Sequence, residues 1–458
     1  MRVSRLLALF AVATIGGLPI AAAQAQPPLH KAQRLERLSQ RSDRLRTRLE
    51  QMKRAARLER LRQADRAQIR RWIERRVGRS VARRRAAARR AFIVTRDGSW
   101  VVRGEILAIG LDAEGLAAAR KLGLTVLRRH PLKTLGLDLV TLKVPRNRDT
   151  IDTLETLRAQ LPAVRLELNH MFDPSGSEAG RNEQKTAPSP APLPWDDLPP
   201  LETGAIGLVD LGVDPGHPAL ESAAIDIRSF TGEKRSSPSA HGTAVASLLV
   251  GATDEFVGAA RGAHLYAADV FGDADTGGSA EMILAALEWL AQERVPVIAM
   301  PLVGPPNLLL EMSLARLAER GVLVVAPVGN AGPTRPVAYP AAYPSVVAVT
   351  ATDAEGKVFI GAQRGPEVMF SAVGVNLPAA ADPDHLEPVA GTSFAVPEVA
   401  ARLLRGLPVP EPTAATAAVA ALEHAAIDLG VPGHDPVYGY GWVSFGGYER
   451  HAQRMSKP

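Results

Sequence analysis

From Ala205 onward the chain repeatedly sets short, unbroken apolar runs ahead of alanine-rich stretches. "AIGLVDLG", "HLYAADVFG", "VPVIAMPL", "GVLVVAPVGN" and "SVVAVTATD" are apolar over most of their length. A strand with one wet face alternates, whereas a strand covered on both faces reads as a continuous apolar run. Runs of this kind separated by helical segments predict a doubly wound α/β domain with a parallel sheet. In that architecture ligands and reactive groups gather at the carboxyl ends of the strands. Polar residues at those ends are therefore the candidates for chemistry.

The 458 residues leave room for more than this domain. Arg2 and Arg5, an apolar stretch and Ala23-Gln24-Ala25 make residues 1–25 an export signal of bacterial type. Residues 26–90 carry 23 Lys/Arg against 6 Asp/Glu, with Leu35, Leu38, Leu45, Leu49, Met52, Leu58 and Leu61 at roughly heptad spacing. They predict a basic amphipathic helical arm, able to touch an anionic surface. That arm alone exceeds the whole-chain charge of +6, so the remainder is acidic. An exported chain meets little nucleic acid, and no nucleic-acid partner is expected.

Residues 91–173 mix strands ("AFIVT", "VVRGEILAIG", "TVLRRH", "LDLVTLKVP") with helices over "DAEGLAAARKLG" and "RDTIDTLETLRAQLP". This pattern suits a small α+β sandwich of ferredoxin-like type. Residues 174–202 are rich in Pro, Ser and polar side chains, the composition of an exposed, easily nicked linker. The α/β domain spans 203–446, and 447–458 form a polar tail. The absence of cysteine excludes thiol catalysis and Cys-based metal sites.

Four strand ends and helix starts carry reactive side chains. Asp210 ends the first run, and His241 opens the helix of "HGTAVASLLVG". Asn330 closes "GVLVVAPVGN", and Ser393 lies in "GTSFAVPEVAARLL". Singly, each has an ordinary structural use: a turn residue, a helix-start polar group, a left-handed turn former, and for Thr392 or Ser393 an N-cap. Together they supply a nucleophile (Ser393), a base (His241), a carboxylate that orients it (Asp210) and an oxyanion donor (Asn330).

"LVDLGVDPGHPAL", "HGTAVASLLVG" and "GTSFAVPEVA" resemble the aspartate, histidine and serine motifs of the subtilisin-like serine proteases, and their chain order matches. "VVAPVGNAGP" resembles that family's oxyanion-asparagine region, and the likeness runs over about 203–445. Residues 91–173 resemble the family's propeptides in size and position. The resemblance implies an exported serine endopeptidase that acts on polypeptides, with its own N-terminal domain as intramolecular chaperone or inhibitor. No cofactor is required by this chemistry; structural calcium is an option, with Asp273 and Asp275 as candidate ligands. The sequence departs from the family at Ala244 and Glu398, where histidines are usual. It also departs along the strand that pairs with substrate, here Met300, Pro301, Leu302, Val303 and Gly304. Pro301 lacks an N–H, Val303 replaces a glycine, and Pro327 and Val328 add bulk beside the primary pocket. These changes imply a preference for small residues before the cut bond. The alternative they raise is a catalytically weak or inactive homologue that binds or regulates.

Overall fold

The computed structural model describes residues 91–175, 193, 195, 198–232, 236–272 and 278–444. The expected export signal and basic arm, most of the expected linker, Asp273, Asp275 and the expected polar tail fall outside them.

The N-terminal part runs β1 (Phe92–Val94), β2 (Trp100–Ile109), α1 (Ala113–Lys121), β3 (Thr125–Leu132), β4 (Leu137–Lys143), α2 (Thr150–Gln160) and β5 (Arg165–Pro174). Each helix starts at an aspartate. Asp112 accepts from the N–H of Gly115, and Asp149 from those of Ile151 and Asp152. Both satisfy donors that a helix start leaves unpaired. The sheet is antiparallel with order β5-β2-β4-β3, and β1 adds to β2. Side chains alternate across a strand, and β2 uses both faces. Ile106 and Ala108 join Val140, Leu142, Leu154 and Leu157 in a core of their own. Leu107 and Ile109, with Leu132, Leu135 and Leu139, belong to a second core shared with the α/β domain.

That domain continues with β6 (Ala205–Asp210), β7 (Ile225–Ser229), α3 (Ala240–Val250), β8 (His264–Asp269), β9 (Gly278–Ser279), α4 (Ala280–Gln292), β10 (Val297–Ala299), β11 (Leu302–Val303) and α5 (Leu308–Glu319). Then follow β12 (Leu323–Pro327), β13 (Val346–Thr352), β14 (Val368–Val373), the hairpin β15 (Val375–Ala379) and β16 (Glu387–Ala390), a 3-10 turn (Thr392–Phe394), α6 (Val396–Gly406) and α7 (Pro412–Ala425). The sheet order is β14-β13-β12-β10-β6-β8-β7, with every pair parallel. Residues of α3 and α6 fill the core on one face, and those of α4 and α5 the core on the other. This is the doubly wound, parallel-sheet domain expected from the apolar runs. No helix among the described residues is long and apolar enough to cross a membrane.

Two expectations change. The linker is not uniformly exposed: Leu193 and Trp195 are buried in the α/β core, and the Trp195 indole N–H donates to the Val257 carbonyl at 2.8 Å. In addition β5, which has no counterpart among the expected strands, runs past residue 173 into the segment assigned to the linker.

Candidate active site

Asp210 is the last residue of β6 and is fully buried. His241 is the second residue of α3, whose N-cap Ser239 accepts from the His241 N–H. The strand end and the helix start bring the two side chains together. His241 Nδ1 lies 3.0 and 2.9 Å from the two Asp210 carboxylate oxygens. With Nδ1–H donated to the carboxylate, a neutral ring carries its lone pair on Nε2, which is the form a general base needs.

The His241 ring packs against the ring of Phe394, centroids 5.5 Å apart, and so sits beside the turn that carries Ser393. Ser393 is completely buried, and its Oγ has no hydrogen-bond partner among the described residues. The cap role open to Thr392 and Ser393 is not taken up by either. Gly391 precedes the 3-10 turn, and α6 begins only at Val396 with no side-chain cap. Thr392 is diverted elsewhere: its N–H and Oγ1 both donate to Asn330 Oδ1, at 3.0 and 2.9 Å. That fixes which way the Asn330 amide faces, because Oδ1 is spoken for and Nδ2 turns outward.

What Nδ2 meets is the end of β5. Asn330 Nδ2 donates to Ser175 Oγ at 3.2 Å, and the Ser175 N–H donates to the Pro301 carbonyl at 3.1 Å. Upstream, β5 lies between two short strands of the α/β domain. Pro174 and Asp173 pair antiparallel with Leu302 and Val303 of β11, and Phe172 and Met171 with Gly278 and Ser279 of β9. Pro301 is tolerated because its carbonyl, not its missing N–H, faces the guest strand. Gly304 is required as glycine: a Cβ there would lie 2.3 Å from the fully buried Phe172 ring. Met300, Leu302 and Val328 are wholly buried in the core shared with the N-terminal sheet, and Pro327 ends β12.

The guest strand is held from above as well. Asn169 Oδ1 accepts from the N–H of Glu281 in the first turn of α4, and Glu167 from the N–H of Leu308 at the start of α5. Each takes a donor the helix cannot pair internally. The buried Glu281 carboxylate accepts from Arg128 at 2.6 Å and Thr141 at 2.7 Å and lies 3.0 Å from His130 Nε2. Burial alone would raise its pKa, but the bonds to His130, Arg128 and Thr141 outweigh it and hold the group at about 2. Glu288, two turns on, accepts from the N–H groups of Thr134 and Leu135. None of these contacts was readable as motif, nor was the position of Ser175.

The departures at Ala244 and Glu398 are structural. Ala244 is fully buried in the core. Glu398 is fully buried and paired with Arg402 at 2.7 Å and Ser444 at 2.7 Å.

The profile of the subtilase family matches residues 203–441. The minor extracellular protease Epr of Bacillus subtilis (strain 168) is 30% identical over 244 residues, covering 52% of this chain and 37% of that protein. Subtilisin E of the same strain is 31% identical over 203 residues, 43% of this chain and 53% of its own. The chain thus spans about half or less of the length of these two relatives. The subtilisin of Bacillus pumilus is 30% identical over 203 residues, and 73% of it is covered. Among solved structures, fervidolysin from Fervidobacterium pennivorans, described as a keratinolytic enzyme related to subtilisin, has a TM-score of 0.63 at 22% identity. That match covers 78% of this chain and 63% of the other, and shows a shared fold. The chain belongs to the subtilase family, the subtilisin-like serine endopeptidases.

Proposed function

We propose that the protein is an exported serine endopeptidase and that its N-terminal sandwich, ferredoxin-like in its β5-β2-β4-β3 order, is a propeptide. In this reading Ser393 Oγ attacks the carbonyl carbon of a peptide bond while His241 Nε2 takes its proton. The proton then passes to the leaving amine as the C–N bond breaks, and water hydrolyses the acyl-enzyme through the same steps. Asp210 holds the imidazole in its tautomer and stabilises the imidazolium. Asn330 Nδ2 and the Ser393 N–H stabilise the oxyanion. The acyl chemistry draws on no cofactor.

The observation that carries this reading is the course of β5. The chain lays its own extended backbone between β9 and β11 and ends it, at Ser175, against Asn330. A polypeptide held by main-chain pairing beside a nucleophile is what a peptidase cleft accommodates. The bond that follows Ser175 is accordingly the proposed maturation site, and the covered cleft the proposed inhibited form. A small residue before the cut bond fits the surroundings. Ser175, the residue in that place, is 2% exposed and lies against Asn330, Thr392 and Pro301.

The test is covalent labelling by a fluorophosphonate probe, read by intact mass, before and after a proteolytic cut within 176–192. The reading expects labelling after the cut that disappears in Ser393→Ala. A folded protein that stays unlabelled in both forms would point instead to a binding or regulatory homologue.

A further inference from the structure

The contacts at the end of β5 close a ring. Asn330 Nδ2 donates to Ser175 Oγ at 3.2 Å, and Thr392 Oγ1 donates to Asn330 Oδ1 at 2.9 Å. Ser175 Oγ lies 3.4 Å from Thr392 Oγ1. Thr392 has one hydroxyl proton and gives it to Asn330, so in the third contact Ser175 is the donor and Thr392 the acceptor. All three side chains are donor and acceptor at once. Ser175 and Thr392 are shielded from water, at 2% and 0% exposure. Buried rings of this kind strengthen each bond through its neighbours.

The ring matters because of what Asn330 Nδ2 is for. On the peptidase reading, on which this inference rests, that N–H should meet charge developing on the carbonyl oxygen of residue 175. Among the described hydrogen bonds, Asn330 Nδ2 donates to the hydroxyl of that same residue and not to its carbonyl oxygen. An interaction made in the ground state and surrendered in the transition state lowers KM and kcat together. We propose that serine immediately before the cut bond acts as a brake in this cleft, so that polypeptides presenting it there are tightly held, slowly cut ligands. Ser175 is the built-in example. Alanine at the same position fits the same space, forms no ring and leaves the oxyanion donor free.

Two measurements test this. In the full-length protein, cleavage after residue 175 is followed by intact mass for wild type, Ser175→Ala and Ser175→Thr. Release of one neutral hydrogen bond, worth about 1 kcal/mol net, predicts roughly fivefold faster cleavage in Ser175→Ala. Ser175→Thr, which keeps the hydroxyl, should stay near wild type. In an Asn330→Ala background the Ser175→Ala acceleration should vanish. In trans, the probe-reactive, cut enzyme is given peptides of sequence Met-Phe-Asp-Pro-Ser-Gly and Met-Phe-Asp-Pro-Ala-Gly. The serine peptide should show both the lower KM and the lower kcat. Equal parameters for the two peptides, or a Ser175→Ala chain that is cut no faster than wild type, would overturn the proposal. These outcomes are read in protein that labels at Ser393, so they are separate from loss of the peptidase reading, in which labelling itself fails.

Discussion

Both carboxylate oxygens of Asp210 lie within 3.0 Å of His241 Nδ1, and the aspartate is fully buried while the imidazole keeps one exposed edge. The carboxylate thus fixes tautomer and ring plane at once. Asp210→Asn preserves shape but lets the ring donate the wrong way. It should lower kcat on a peptide substrate by about 10⁴-fold with little change in KM. Steady-state kinetics, with a thermal melt to show the fold is kept, decide this.

Gly304 and Phe172 make the second test. The Cβ introduced by Gly304→Ala would lie 2.3 Å from the Phe172 ring, a contact that one of the two must give up. Overpacking of this kind costs about 1–3 kcal/mol. On the proposed reading β5 occupies the substrate cleft between β9 and β11, so the strain should appear as displacement of the strand. Fluorophosphonate labelling of the uncut chain should rise about tenfold in Gly304→Ala. Phe172→Ala in the same chain relieves the clash but also deletes the anchor, so labelling should stay high.

Acid should loosen the N-terminal domain, and two groups define the window. Burial holds the His170 pKa below its ordinary 6.5, against the partly compensating charges of Glu167 and Asp97, with Arg158 adding to the depression. His170 Nδ1 lies 3.0 Å from Asn307 Nδ2 and accepts from it only when neutral. Its contribution is complete above pH 6.5 and is lost as the pH falls below that value. Glu281, held at about 2 against an ordinary 4.5, contributes fully above pH 4.5 and loses that contribution as the pH drops toward 2. Both act in one direction. The melting temperature of the full chain should fall from just below pH 6.5, and again below pH 4.5. His170→Gln should flatten the first step alone.

Glu398 and Arg402 form a buried pair on α6, with side-chain exposures of 0% and 7%. Removing Glu398 takes this carboxylate from the buried Arg402 guanidinium and leaves Ser444 Oγ without its acceptor. Glu398→Leu should cost about 3–5 kcal/mol in chemical denaturation. Adding Arg402→Met should recover part of it, since the buried cation goes with the second change.

The parallel sheet and the four reactive residues were legible because their causes are local. Val297–Ala299 and Val346–Thr352 are covered on both faces and read as apolar runs. Asp210, His241, Asn330 and Ser393 each stand where a run ends or a helix begins. β5 was not legible for the opposite reason. Its inward residues include Asn169 and His170, polar side chains whose burial depends on Glu281 and Asn307 more than a hundred residues away. Asp173-Pro174-Ser175 has the composition of a turn, and only the edges of β9 and β11 make it a strand. Thr392 misled in the same way. Its sequence context is that of a cap, yet Asn330, distant in the chain, supplies the better acceptor.

β5 is a strand of two structures at once, sheet partner to β2 at one end and guest between β9 and β11 at the other. Cutting the chain after Ser175 would leave every one of those pairings in place and remove only the tether. If β5 is the inhibitor proposed above, the uncut chain holds it at an effective concentration set by the chain itself, which dilution cannot change. After the cut, occupancy becomes an ordinary bimolecular equilibrium. The onset of activity would then follow dilution, or destruction of the freed domain by molecules already open, and a population of such enzymes would switch on with a lag that shortens as the first few members escape.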